Sequence, residues 1–163
     1  MTAKTQQLQI RVTPRQKAAL KRHADAAGLD VSSYVLSRML PDEGSRFADL
    51  LRLLPQEKQR KYALAEINDL LSACPPAAFA DALAHADLTR VTPYVQNYVA
   101  AMVEQAAEQK QVAPPAWVHD IPPLEVPHFA TPLVGLRMHL LRSAPVAFKR
   151  RNIFVDAGVG ARV

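Results

Sequence analysis

Residues 7–12, Gln-Leu-Gln-Ile-Arg-Val, alternate polar and apolar without a break, and Thr13-Pro14 follows at once. Period two marks a strand with Leu8, Ile10 and Val12 on one face and Gln7, Gln9 and Arg11 on the other. A strand this short is not stable alone in water, because its edges need partners and its apolar face needs cover. A two-fold dimer supplies both: the strands of two chains pair antiparallel, the aliphatic side chains point onto helices, and the polar side faces outward. Thr13 is a good N-cap and Pro14 suits the first helical position, so a helix is predicted from here to Ala27, where Gly28 ends it in a left-handed conformation. Asp30 is the next N-cap. A second helix is predicted from Val31 to about Leu40, with Val31, Tyr34, Val35 and Met39 as its apolar stripe, and Pro41 closes it.

Charge is distributed unevenly. Residues 1–40 carry seven basic and two acidic side chains, residues 41–136 seven and twelve, and residues 137–163 six and one, within a net +5 overall. A basic module at the start is the electrostatic footprint expected of something that meets phosphates. The single Cys74 cannot form an internal disulfide, which fits a reducing compartment. The polar start does not read as a signal peptide, and no apolar run approaches a membrane span, so the expected location is cytoplasmic with no membrane partner.

A two-stranded ribbon fits the major groove of DNA, where Gln pairs with adenine and Arg with guanine. With Gln7-x-Gln9-x-Arg11, Thr13-Pro14 and Gly28-Leu29-Asp30-Val31-Ser32-Ser33-Tyr34 at this strand–helix–helix spacing, residues 6–40 resemble the Arc/MetJ-type ribbon-helix-helix family. The resemblance implies base contacts from Gln7, Gln9 and Arg11. It also implies a backbone phosphate held at the start of the second helix by Val31, Ser32 and Ser33, which agrees with the dipole and unpaired amides of a helix N-terminus. Lys4, on the preceding arm, is a further phosphate contact. The partners expected are a double-stranded DNA operator and a second copy of the chain. The other reading of the strand, a solvated edge face with no groove to read, stays open from the residues alone, and the N-terminal strand argues against a helix-turn-helix.

Beyond Pro41 the pattern is mainly α. Helices are predicted over 45–54, 55–73, from Pro75 through Phe79 and Leu83, from Thr92-Pro93 onward, and over 133–141. Between 111 and 135 six prolines are interspersed with Trp117, Val118, Ile121, Leu124, Val126 and Phe129. Proline bars a regular helix or central strand, and flexible linkers lack such apolar residues. This stretch is predicted to be an extended arm lying on its own domain or on a partner. The expected organisation is a DNA-binding and dimerising domain at 1–41, a helical region at 42–110, and a Pro-rich arm with a short helix and basic tail at 111–163.

Ribbon-helix-helix domains with C-terminal extensions commonly belong to antitoxins of bacterial toxin–antitoxin operons. The pattern Pro115-x-Trp117, Pro127-x-Phe129, Leu136-Arg137 and Phe148-x-x-Arg151-Asn152 is similar to C-terminal regions of antitoxin-like proteins encoded beside nucleotidyltransferase-like ones. That resemblance implies a repressor that neutralises a toxin through Trp117, Phe129, Arg137, Phe148, Arg151 and Asn152. The acidic helical region departs from short antitoxins, and the alternative is a stand-alone regulator whose helical region senses a ligand or oligomerises. His23, His85, His119, His128 and His139 show no zinc-helix spacing, no Gly-rich phosphate loop occurs, and no catalytic constellation is visible. The expectation is therefore a protein that is not an enzyme and uses no metal or cofactor. Lys149-Arg150-Arg151 is open between solvated surface, nucleic-acid contact, an acidic partner and the chain's own acidic middle segment.

Overall fold

Thr13 closes a capping box with Gln16. The Thr13 hydroxyl accepts from Gln16 N at 3.3 Å, and Gln16 Oε1 accepts from Thr13 N at 2.9 Å, so two amides at the helix start satisfy each other's residues. Helix α1 (Pro14–Ala26) follows. The computed structural model describes residues 9, 11–26, 28, 30–39 and 43–156, with the side chains of 36–39 outside that description. Gly28 has φ +66°, which an L side chain rarely adopts, and its N–H reaches Asp25 O at 3.2 Å. Asp30 then opens α2 (Val31–Met39): its Oδ1 accepts from Ser32 N at 2.9 Å and Ser33 N at 3.1 Å.

These helices belong to the first of two compact units, residues 1–41 and 42–163. They pack on each other, with the His23 and Tyr34 rings stacked 6.3 Å apart. Ala24 is the one fully buried side chain described in this unit; Ala19, Leu20, Tyr34 and Val35 are half-buried. Val12 and Val31 are exposed.

The second unit is helical. α3 (Glu43–Leu53) and α4 (Glu57–Ala73) pack as a hairpin, joined by a turn whose Leu54 carbonyl accepts from Arg60 Nε at 2.9 Å. Pro55 and Gln56 lie in that turn, so α4 begins after them rather than at the proline. A 3₁₀ turn (Pro76–Ala78) leads into α5 (Phe79–Ala82). Thr92 caps α6 (Pro93–Lys110), with Pro93 at its first position and Val95 N donating to the Thr92 hydroxyl. Val95, Asn97, Val99, Ala100, Ala101, Met102, Val103, Ala106 and Ala107 of α6 are all buried, as in a helix enclosed by its neighbours. One core runs from Phe47, Ile67 and Leu71 through Phe79, Leu83, Val99 and Val103 to Val118, Phe148 and Ile153.

Residues 111–156 share that core and do not stand off as a separate arm. α7 (Trp117–Asp120) packs on α6. The prolines keep the following residues extended until β1 (His128–Phe129) pairs in parallel with β2 (Ile153–Phe154), His128 opposite Ile153 and Phe129 opposite Phe154. Between them, α8 (Val134–Ser143) and α9 (Val146–Lys149) make the return path. α9 packs on α6, and α8 touches β2. No helix among the described residues is long and apolar enough to cross a membrane.

Candidate nucleic-acid interface

Gln9 and Arg11 stand just before the Thr13 capping box, both exposed and neither in a hydrogen-bonded ladder within the chain. Lys4, Gln7, Leu8 and Ile10 lie outside the described residues. On α1, Arg15, Lys17, Lys21 and Arg22 are exposed, so these four basic side chains project into solvent. These observations assemble basic groups on a small helix pair, with exposed Gln9 and Arg11 directly before its first helix.

The start of α2 differs from a bare anion site. Val31 is 38% exposed, Ser32 is exposed and Ser33 half-buried. The Ser32 and Ser33 amides are bonded to the Asp30 carboxylate, and Tyr34 N donates to Asp30 O at 2.9 Å. An incoming phosphate would meet a fixed negative charge where the resemblance places two free donors. It would have to use the Ser32 hydroxyl and the Val31 N–H, or displace Asp30. Reading Asp30 only as a cap missed this; the sequence signal was the carboxylate itself, since Ser or Asn would cap without the charge.

The six residues assigned to a protein partner fall into two groups. Trp117, Phe148, Arg151 and Asn152 all make contacts within the second unit; Phe148 and Arg151 are buried, whereas Trp117 and Asn152 are half-buried. Trp117 Nε1 donates to Leu83 O at 2.8 Å, and Phe148 is 1% exposed, its ring edge-on to Tyr98 at 5.3 Å. Asn152, in a left-handed conformation at φ 57°, donates from Nδ2 to Leu124 O at 2.6 Å. Arg151 is 4% exposed. Its Nη2 reaches Glu104 Oε1 and Val118 O, both at 2.7 Å, and its Nη1 reaches Asn97 Oδ1 at 3.1 Å and Ile121 O at 3.3 Å. Asn97 in turn donates to Pro93 O and Pro122 O, each at 3.0 Å. A buried guanidinium needs its donors met; here α6, α7 and the residue after it take both terminal nitrogens, while Nε is buried without a partner. Phe129 and Arg137 sit elsewhere, in a small cluster with Phe154, Leu140 and Ala144. Phe129 stacks on Phe154 at 4.8 Å, and the Arg137 guanidinium lies 5.1 Å from the Phe129 ring centre.

A groove of about 340 Å³ opens between α4 and α6, lined among others by Lys61, Leu64, Asn68, Tyr98, Met102 and Gln105. Its apolar floor and amide rim gather no cluster of titratable groups. No group of three or more His, Cys, Asp or Glu that could hold a metal ion occurs among the described residues. Burial, reinforced by Glu43, pushes the Cys74 thiol up to about 12, which makes it an unreactive core residue.

Residues 2–54 match the NikA-like family, described as Mobilization protein NikA. The matched stretch is less than half of the chain; it takes in Gln9, Arg11, α1 and α2 and ends within the α3–α4 turn. No curated protein and no solved structure matches. The likeness therefore covers the basic first unit and α3 of the second, and does not extend beyond residue 54.

Proposed function

We propose that the chain is a double-stranded-DNA-binding protein that acts by binding rather than by catalysis. Its first unit works as a two-fold dimer joined through residues 7–12, in the ribbon-helix-helix manner, and Gln7, Gln9 and Arg11 read base edges. The observation that carries this reading is the juxtaposition in unit 1: exposed Gln9 and Arg11 enter a basic helix pair that buries only Ala24 among its described residues. A second copy would pair with residues 7–12 of the first, and the dimer would present two such segments to DNA. The likeness to a mobilization protein supports a mobilization-related role for this unit.

Regulation of its own operon is the second reading, the stand-alone regulator with a helical accessory domain. The internal use of Trp117, Phe148, Arg151 and Asn152 favours it over toxin neutralisation by a free arm. Footprinting the full chain across its own gene neighbourhood tests these readings. A two-fold footprint abolished by Gln9→Ala with Arg11→Ala is the expected result, and its position, over a promoter or away from one, separates regulation from mobilization. Equal weakening on random DNA would remove base reading.

A further inference from the structure

Helix α8 has two apolar faces, and among the described residues one of them is covered. Leu140 and Ala144 are buried against Phe129 and Phe154. Roughly a quarter-turn away, Val134, Met138 and Leu141 follow one another at i, i+4 and i+7, the spacing of a single helical stripe. They are 70%, 67% and 40% exposed. At 3.6 residues per turn Arg137 and Arg142 fall on opposite sides of this stripe. Neither makes an ion pair among the described residues, whereas Arg150 and Arg151 are engaged by Glu108 and Glu104. No acidic residue occurs anywhere between 126 and 155.

We infer that α8 is a docking surface for a partner protein segment that carries apolar side chains at helical spacing flanked by carboxylates. The charge pattern selects this occupant. Any two-fold pairing of α8 with a second copy, parallel or antiparallel, sets a basic flank against a basic flank, which costs energy once water is excluded. A bilayer is a poor match as well. The three side chains together carry fewer apolar carbons than one myristoyl chain, which alone holds a protein only marginally at a membrane. A helix or turn of an acidic partner satisfies both features: its apolar residues cover Val134, Met138 and Leu141, and its carboxylates meet the Arg137 and Arg142 guanidinium groups. The surface lies in the second unit and does not depend on the DNA-binding reading.

The test is photocrosslinking in cells that naturally carry the chain, using the full-length protein with Met138→p-benzoylphenylalanine and, separately, Leu141→p-benzoylphenylalanine. Both positions are exposed, so neither substitution disturbs the core. The expected adduct maps to an acid-flanked segment of one other protein. Arg137→Glu with Arg142→Glu should lower its yield at least about tenfold, and replacing the partner's flanking carboxylates by lysine should restore it. Adducts only to this chain itself, adducts only to lipid, no adduct at either position, or a yield indifferent to the charge swap would each overturn the inference.

Discussion

The guanidinium of Arg151 lies 2.7 Å from the carboxylate of Glu104, across 47 residues of sequence, with 5% and 14% of the two side chains exposed. Because Arg151 also bonds to Asn97, Val118 and Ile121, it joins α6 to the segment after α7 and to β2. Arg151→Met leaves the Glu104 charge and three acceptors short of a donor, so the second unit should lose about 3–5 kcal/mol in urea unfolding. Glu104→Gln keeps an acceptor but leaves the buried guanidinium without its counter-charge, so it should be clearly destabilising too. Equal small losses for both variants would mean that the network does not hold the C-terminal segment.

Residues 111–156 should resist limited proteolysis in the free chain, since Val118, Phe148 and Ile153 are buried and Asn97 and Arg151 bind the prolyl stretch. Trp117 is the single tryptophan, and its indole is tied to Leu83 O. Its emission should be blue-shifted in the native protein and move red in one step with the urea transition of the second unit. Rapid cleavage between 111 and 130 under native conditions would show that this segment detaches.

What the sequence revealed, and what it hid, follows from the range of the interactions. Thr13-Pro14, Thr92-Pro93 and Gly28 mark helix ends through contacts within a few residues, so the starts of α1 and α6 and the stop after α1 were legible. Pro55 was misleading as a start because the chain spends Leu54, Pro55 and Gln56 on a turn before α4. Trp117, Phe148 and Arg151 resembled an exposed recognition set. Their placement depends on Leu83, Asn97, Tyr98 and Glu104, which are 34 to 54 residues away and leave no periodic trace. Gln9 and Arg11 are exposed as a reading face requires, while the antiparallel strand pairing expected of them involves a second chain and residues outside those described.

Cys74 gives a pH dependence with a definite sign. Its folded value is raised to about 12, first by burial and then by its hydrogen bond to Glu43. The unfolded thiol ionises where the folded one stays protonated, so stability present below the ordinary thiol range is lost as pH rises through it toward 12. Cys74→Ala should flatten that alkaline slope. At pH 8, Ellman's reagent should react with the native thiol at least about a hundredfold more slowly than with the thiol in urea. Comparable rates in both would place the thiol in reach of solvent.

Gly28→Ala should destabilise the first unit by about 1–2 kcal/mol through the backbone alone, because φ is +66° while the added Cβ would meet nothing within 4 Å. Gly28→Asn, which tolerates the left-handed region better, should cost less. Both are measured by thermal unfolding of the full chain, and an Ala variant as stable as the parent would show that the turn readily adopts another conformation.

Asp30 places stability and DNA binding in opposition. Its carboxylate caps α2 through the Ser32 and Ser33 amides, yet it puts a negative charge where a DNA phosphate is proposed to dock. Asp30→Asn keeps the acceptor and removes the charge, so the helix should keep its cap within a few tenths of a kcal/mol, while affinity for random duplex DNA rises several-fold at low salt. Asp30→Ala removes the acceptor as well and should cost about 0.5–2 kcal/mol of stability. Because the gain of Asp30→Asn is electrostatic, it should shrink as salt is raised. Fluorescence anisotropy on a labelled random duplex measures this directly. An Asn variant that binds no better than the parent at low salt would mean that the start of α2 does not approach the phosphate backbone.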